Sequence, residues 1–243
     1  VGREFKSEAR ELIHEWLLQQ KNITKTLYLR MNPLHSEFAE ADLKLLLKHK
    51  EFSGVIVSKV ESAADLPDVK LLKKLNIKLL PLLETAAGVQ NVAPIMTADE
   101  SIEQVVFGVM DYCVDLEISY RPDHPLIDYA KFQLIVTARA LGKKPPIDTI
   151  YPYIDDLDGL AKDAQKALDL GMTAKLCINP QQVDIVNRIF RNLYADVTWA
   201  AKVKIAYETA DDEGLHVVNV DGEMIDYPVY LRALQILKRG KYE

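Results

Sequence analysis

The 243-residue sequence has only two cysteines, Cys113 and Cys177, and neither lies in a CxxC motif or at a metal-ligand spacing from a histidine. The sequence therefore gives no sign of a disulfide framework or of a zinc–thiolate site. We interpret both cysteines as reduced, buried thiols, and we expect the protein to be cytoplasmic.

Long apolar segments and an excess of basic residues are also missing. No run approaches the ~18 apolar residues that a membrane span needs, and no signal peptide is visible. The formal net charge is −6 and no basic stripe offsets the acids, which argues against nucleic acid as the main partner. Because the sequence begins at Val1, we expect the natural N-terminus to have been lost.

What the sequence does contain is an alternation of strand-like and helix-like segments. Such alternation predicts an α/β fold with a parallel sheet. No glycine-rich phosphate loop follows any strand, which argues against the alternative of a doubly wound open sheet. We therefore predict a TIM (β/α)8-type barrel. The six strand-like runs are Thr26–Arg30, Gly54–Lys59, Ile77–Leu83, Gln104–Val109, Ile147–Tyr151 and Thr173–Ile178.

Six strand–helix units are two fewer than a complete barrel needs. The simplest explanation is that the first two strands precede Val1 in the natural protein. After the sixth strand the pattern changes to helices and a hairpin that turns at Asp221-Gly222. We predict a barrel over residues 1–191 and a C-terminal helical extension with a lid over residues 192–243.

Two acids and one arginine stand at predicted strand ends. Glu84 follows the run KLLPLL, Asp111 follows VVFGVM, and Arg30 ends the first strand. The carboxyl ends of parallel strands meet at one edge of the sheet, where active sites collect. Two carboxylates there repel one another unless a cation lies between them, and hard oxygen ligands without histidine or cysteine favour Mg²⁺. The alternatives are helix-opening acids and a structural ion pair for Arg30.

Several motifs give the chain a specific resemblance. The matching segments are LYLRMNP, VIVSKVES, LLPLLETAAGV, VFGVMD, ARALGKKPPIDTIYPYIDDLDGLAKDAQKALDLGMTAKLCINPQQV and VDGEMIDYP. In these segments, which run in family order from the first helix to the last, the chain resembles the HpcH/HpaI aldolase family. Within that family it is most similar to citrate lyase beta-subunit-like proteins, and IDTIYPYIDDLDGL and GEMIDYP are the most discriminating matches.

The resemblance implies a Mg²⁺-dependent carbon–carbon lyase. Such an enzyme cleaves or forms a 3-hydroxyacyl-CoA, such as citryl-, citramalyl- or malyl-CoA, with acetyl-CoA and an oxo acid as the products. It implies that Glu84 and Asp111 hold the metal and that Arg30 stabilises the developing enolate. In the relatives the segment with Asp226 is a lid that supplies an acid/base aspartate to a neighbouring subunit. The relatives form trimers, so the resemblance also implies a homo-oligomer, expected to be a homotrimer, and citrate lyase-type partner subunits are a further possibility.

Two more residues belong to the predicted substrate site. Lys59 and Asn32 lie on the same rim, and we expect them to bind the acyl-CoA substrate together with Arg30 and Glu84. Each could equally satisfy backbone groups of a loop. From the sequence alone, Asp226 is a turn acid ahead of a proline.

Three departures from the family pattern leave other functions open. Met110 stands where the family usually has an acid before its metal-binding aspartate, and Asn179 stands where the last strand usually has histidine. An acidic LEDA-like segment is expected just before Val1. The alternatives are a catalytically impaired or regulatory barrel homologue, and a malyl-CoA thioesterase or malate synthase-like enzyme.

Overall fold

The computed structural model describes residues 1–191, 195–212 and 214–239. The strands in these ranges are β1 Leu27–Met31, β2 Phe52–Val57, β3 Lys78–Leu83, β4 Val106–Phe107, β5 Ile147–Asp148, β6 Ala174–Lys175, β7 Val218–Val220 and β8 Glu223–Ile225. The helices are α1 Lys6–Gln19, α2 Ala39–Lys48, α3 Val69–Lys74, α4 Ala86–Gln90, α5 Val92–Thr97, α6 Val109–Asp115, α7 Pro125–Ala140, α8 Leu157–Leu170, α9 Pro180–Arg191, α10 Ala195–Asp212 and α11 Tyr227–Arg239. None of the helices in the described ranges has the length and hydrophobicity that crossing a bilayer demands.

Strands β1 to β6 form one parallel sheet, and their spatial order equals their order along the chain. A doubly wound sheet has a reversal of strand order, whereas a (β/α) barrel adds each strand next to the previous one. The predicted α/β class and barrel-type topology are therefore confirmed. This topology brings the carboxyl ends of consecutive strands to one edge.

The sheet is anchored by strands that are apolar on both faces. The adjacent residues Leu82 and Leu83 of β3, which point to opposite faces, are both almost completely buried, and Val55 and Val57 are buried on one face of β2. Burial on both faces is expected for the strands of a parallel sheet that is covered on each side, as in a barrel. Polar groups at the ends of these strands are thereby held on a rigid support.

The chain divides into two compact units. The first consists of Val1–Pro152 and Lys166–Ile178 and contains the whole parallel sheet. The second consists of Tyr153–Gln165 and the chain from Asn179 onward. The domain boundary predicted at residue 192 lies outside the described residues and stays a prediction.

The second unit contains the predicted hairpin. Strands β7 and β8 pair in antiparallel fashion, and they are joined through Asp221 and Gly222, whose φ angles are +53° and +91°. Two consecutive positive φ angles are the geometry of a type I′ turn, which favours Asp-Gly. The prediction of a hairpin turning at these residues is confirmed.

The fourth strand is shorter than predicted. The strand β4 comprises only Val106–Phe107, Gly108 is still extended, and the chain is helical from Val109 onward. The N–H of Val109, the first residue of this helix, donates to Thr149 Oγ1 at 2.8 Å. Asp111 therefore lies in the first turn of α6, and its predicted position at the end of a strand is wrong.

Candidate active site

Four predicted site residues lie at the carboxyl edge of the first four strands or just beyond it. Arg30 is in β1, Lys59 follows β2, Glu84 follows β3 directly, and Asp111 is in α6, the helix that follows β4. All four belong to the first unit. Arg30, Lys59 and Glu84 therefore lie at ends of strands as predicted, whereas Asp111 lies in a helix.

Glu84 is a carboxylate with almost no exposure, at 2%. Its Oε1 accepts a hydrogen bond from the backbone N–H of Lys59 at 3.0 Å, and its Oε2 lies 3.7 Å from Arg30 Nη2. Burial raises the pKa of Glu84, and the negative charge of Asp111 raises it further, against the opposing effects of Arg30 and Lys59. Because the two carboxylates interact in this way, a cation between them would be stabilised.

Asp111 is less buried and contacts a lysine. Lys59 Nζ lies 2.9 Å from Asp111 Oδ1, and about half of the lysine side chain is exposed. The hydrogen bond to Asp111 is the main cause that raises the pKa of Lys59, and the charges of Glu84 and Asp115 add to it. Lys59 therefore contacts both predicted metal ligands, one through its backbone and one through its side chain.

Arg30 presents its guanidinium to solvent. Its Nε donates to Ser58 Oγ at 3.3 Å, and its side chain is 61% exposed. Anchoring through Nε fixes the plane of the guanidinium while its Nη groups point toward the edge that carries Glu84. This arrangement suits bidentate binding of an anion.

Asn32 is tied into a network beside Arg30. Its backbone N–H and its Nδ2 both donate to Asp42 Oδ2, at 2.9 Å and 2.6 Å, and its Oδ1 accepts from Lys6. Arg10 holds the other carboxylate oxygen of Asp42 at 2.7 Å. Both ends of the Asn32 amide are therefore engaged within the protein.

A cavity of about 520 Å³ lies against this network. Its wall includes Arg30, Asn32, Ser58 and Lys59. A volume of this size falls in the range of small-molecule sites. The cavity thus places three of the predicted substrate-binding residues around one space.

Asp226 and Asn179 lie in the second unit and cap helices. Asp226 Oδ1 accepts from the backbone N–H of Val229 at 3.1 Å at the start of α11. Asn179 Oδ1 accepts from the backbone N–H of Gln181 at 2.9 Å at the start of α9. The turn role that the sequence alone suggests for Asp226 is therefore present.

The sequence analysis missed residues that shape the site. Ser58 anchors Arg30, and Asp115 Oδ2 accepts from the N–H of Ala86 at 2.7 Å at the start of α4. Gly108 packs against the side chain of Glu84. A glycine between a buried strand and a helix was the available signal for this close approach.

A buried charge cluster lies at the ends of β5 and β6, and no pattern in the sequence indicated it. Asp148 ends β5, and its two carboxylate oxygens lie 2.9 Å from Lys131 Nζ and 2.7 Å from Lys175 Nζ. Burial alone would raise the pKa of Asp148, but the two ammonium groups outweigh it and lower the pKa. The cluster joins α7, β5 and β6 in the first unit.

The ligand set fits magnesium better than a transition metal. In the part of the chain that the structure describes, no group of three or more histidine, cysteine or acidic side chains is arranged to hold a metal. Mg²⁺ is commonly bound by one or two carboxylates, with water and substrate oxygens completing the octahedron. Glu84 and Asp111 would be such a pair.

Comparisons with known proteins identify the family. A model of the HpcH/HpaI aldolase/citrate lyase family matches residues 1–180. The citrate lyase subunit beta of Leuconostoc mesenteroides subsp. cremoris is 28% identical over 243 residues, which cover 96% of this chain and 80% of that protein. A (3S)-malyl-CoA thioesterase of Cereibacter sphaeroides is 29% identical over 241 residues, which cover 99% and 83%.

The fold is shared with a solved relative. The structure of CitE from Mycobacterium tuberculosis in complex with magnesium, acetoacetate and coenzyme A superposes with a TM-score of 0.77. The two proteins are 25% identical, and the match covers 99% of this chain and 86% of that one. Because the family model covers residues 1–180, which include all six strands of the parallel sheet, and the fold agrees, this chain belongs to the HpcH/HpaI aldolase/citrate lyase family.

Proposed function

We propose that this protein is a Mg²⁺-dependent carbon–carbon lyase that acts on a 3-hydroxyacyl-CoA, such as citryl-, citramalyl- or malyl-CoA. The observation that carries the proposal is the grouping of Glu84, Asp111 and Arg30 at one sheet edge. Family membership supports it, since the relatives include a citrate lyase subunit and a malyl-CoA thioesterase. The first name is that of a lyase, and the second names a CoA thioester as the substrate.

Glu84 and Asp111 would hold the ion, directly or through water. Bound Mg²⁺ would supply a Lewis acid to the carboxylate and hydroxyl oxygens of the substrate. The CitE relative was solved with magnesium, acetoacetate and coenzyme A, which supports the same ligand class here. The burial of Glu84 would limit the access of competing water to its carboxylate.

Arg30 would stabilise charge on the thioester. When the carbon–carbon bond breaks, the electron pair moves onto the acetyl group as an enolate, and the exposed guanidinium can meet that charge. Lys59 would bind the oxo-acid carboxylate. Asn32 would form the pocket wall, because both ends of its amide contact Lys6 and Asp42.

Proton transfer requires a base for the substrate hydroxyl and an acid for the acetyl enolate. Asp226 is the proposed carrier of one of these roles, by analogy with the lid aspartate of the resembled enzymes. We also propose a homotrimer, in which a lid from one subunit serves the site of another. Citrate lyase-type partner subunits remain part of this proposal.

A panel of thioesters tests the reaction. The protein is incubated with citryl-, citramalyl- and malyl-CoA, with Mg²⁺ or with EDTA, and oxo acid and acetyl-CoA are quantified. We expect equal amounts of both products from one substrate, and no turnover in EDTA or with Glu84→Ala. Turnover that is unaffected by EDTA would refute the metal assignment.

Thioester hydrolysis is the second candidate, and the similarity to the (3S)-malyl-CoA thioesterase favours it. Hydrolysis releases free coenzyme A thiol and leaves the carbon skeleton intact. The same panel therefore separates the candidates: oxo acid without free thiol indicates a lyase, and free thiol without oxo acid indicates a thioesterase. A protein that binds Mg²⁺ and turns over none of the panel would be the catalytically impaired homologue.

A further inference from the structure

Lys59 has a backbone conformation that few lysines adopt. Its φ is +53°, in the left-handed region that L-residues with a Cβ rarely visit. Such conformations persist where the surrounding structure demands them, and they concentrate at functional sites. The positive φ of Lys59, directly after β2, therefore needs a physical explanation.

The segment around Lys59 is fixed on both sides. The N–H of Val60 donates to the carbonyl of Leu82 at 3.2 Å, and the N–H of Ser58 donates to the carbonyl of Met31 at 3.3 Å. The carbonyl of Val60 packs so closely on Gly88 that a Cβ there would lie 2.5 Å from it. These contacts hold the backbone of Lys59 in place between two sheet strands and α4.

In this geometry Lys59 contacts both Glu84 and Asp111. The amide of Lys59 is 3.0 Å from Glu84 Oε1 and its ammonium is 2.9 Å from Asp111 Oδ1. The ammonium thus contacts one of the two carboxylates that would hold a divalent ion. An ammonium is a compact point charge on a flexible stem, so it can give up such a contact.

We propose that the Lys59 ammonium is an internal counter-ion that neutralises Asp111 in the metal-free protein and that a divalent cation displaces. This inference rests on the proposed metal role of Glu84 and Asp111. Lys59 is then a positioning residue that sets the metal affinity. Its backbone amide stays on Glu84 throughout, because the flanking hydrogen bonds fix it.

Displacement has a consequence for substrate binding. The Lys59 side chain is half exposed and lines the same cavity as Arg30. Once released from Asp111, the ammonium becomes a second cation beside the guanidinium of Arg30. Metal binding therefore prepares the cavity for an anionic carboxylate, and metal and oxo acid bind cooperatively.

Calorimetric titration of the 243-residue chain with MgCl₂ tests the proposal. We compare the wild type with Lys59→Met, which removes the charge, keeps most of the side-chain volume and retains the backbone amide. The control is Lys144→Met, which makes the same change in net charge and breaks an exposed ion pair with Glu103 at the opposite end of the sheet. Lys59→Gly, which favours a positive φ, is the second variant if Lys59→Met folds poorly.

We expect Lys59→Met to bind Mg²⁺ roughly three- to tenfold more tightly than wild type. The reason is that the half-exposed Lys59 ammonium no longer competes with the ion for Asp111. Lys144→Met should match wild type. Thermal unfolding gives a second readout: Lys59→Met should lower Tm in EDTA and recover it with saturating Mg²⁺. Pyruvate or glyoxylate should bind more tightly to wild type with Mg²⁺ than without, and Lys59→Met should lose part of that difference.

The outcomes separate this inference from the proposed function. If wild type binds Mg²⁺ and Lys59→Met binds it equally well or more weakly, the proposed displacement of Lys59 is wrong, while the metal assignment stands. Absence of Mg²⁺ binding in both wild type and Lys59→Met overturns the metal assignment together with it. Tighter binding in Lys144→Met as well would show that net charge, and not the position of Lys59, controls the affinity.

Discussion

Gly108 and Glu84 are packed so closely that no side chain fits between them. A Cβ built on Gly108 would lie 2.7 Å from both Cβ and Oε2 of Glu84, and 3.2 Å from Cδ1 of Leu82. Real Cβ atoms do not approach neighbours that closely. Because Glu84 is buried against β4, the proposed metal ligand keeps its position only while residue 108 has no side chain.

Gly108→Ala should therefore impair the site more than the fold. The φ of Gly108 is −115°, which alanine adopts without strain, so the effect comes from the contact with Glu84. We expect a loss of about 1–3 kcal/mol of stability from overpacking and a fall in kcat of about tenfold or more through displacement of Glu84. Denaturant unfolding and steady-state assays measure the two effects.

Gly142→Ala is the matched control. Gly142 has a φ of +66° at the end of α7 and nothing within 4 Å of its virtual Cβ. This substitution should cost about 1 kcal/mol through the backbone alone and leave kcat unchanged. Equal losses of activity in the two variants would show that Gly108 acts through general destabilisation.

The raised pKa of Glu84 gives a second prediction. Its pKa is raised first by burial and then by the charge of Asp111, so the folded state holds the proton more tightly than the unfolded state does. Ionised Glu84 therefore opposes folding, and metal-free stability should decrease as pH rises through the folded pKa. Glu84→Gln should remove this dependence and raise Tm at neutral pH in EDTA, by about 2–4 °C for each kcal/mol relieved.

Glu84→Gln should be more stable than wild type in EDTA, and addition of Mg²⁺ should make wild type the more stable of the two. The ion neutralises Glu84 in the wild type and raises its Tm by binding the native state, whereas Glu84→Gln should respond little. Tm is measured by scanning fluorimetry with EDTA and with Mg²⁺ from pH 4, just below the unfolded glutamate pKa of about 4.3, up to pH 8. A wild-type Tm that stays flat with pH in EDTA would mean that the carboxyl is not desolvated in solution.

How far the sequence predicts the site depends on how local each signal is. Glu84 was found because an uninterrupted apolar run ends at it, and Arg30 because Asn32-Pro33 stops the first strand. Both signals lie within a few residues of the site. The parallel sheet itself follows from the regular alternation of strand and helix patterns.

Other parts of the site depend on contacts between distant segments. The run VVFGV predicts a strand that continues through Val109, whereas in the structure α6 begins at Val109, whose N–H donates to the distant Thr149 Oγ1. The ion pairs of Lys131 and Lys175 with Asp148 join three elements, and these three residues follow no recognisable spacing motif in the sequence. Such features are fixed by tertiary packing, which periodicity does not report.

The Asp148 cluster yields a prediction about stability. Removing the carboxylate that contacts two buried ammonium groups should destabilise the fold by about 3–5 kcal/mol in Asp148→Asn. The pKa of Asp148 is lowered, so its contribution is present above the unfolded pKa of about 3.9 and is lost as pH falls through the folded pKa. Urea unfolding at pH 7, 5 and 3.5 measures the loss.

Asp123→Asn serves as the comparison, because Asp123 forms an exposed pair with Arg121 at 3.9 Å. A surface pair of this kind contributes at most about 1 kcal/mol. If both variants unfold at the same urea concentration, the buried cluster contributes no more than the surface pair does, and the assignment of Asp148 as a structural charge fails.

The last prediction separates the two roles of Asp226. Its Oδ1 accepts a hydrogen bond from the N–H of Val229 as the N-cap of α11, and asparagine is an equally good N-cap residue. Asp226→Asn should therefore keep its Tm within about 1 °C of wild type, while turnover falls about 10²–10⁴-fold if the carboxyl transfers a proton. Asp226→Ala should lose the cap as well, at a cost of about 1 kcal/mol. Melting curves and thioester assays on the same preparations decide the question, because full activity in Asp226→Asn would leave capping as the function of this residue.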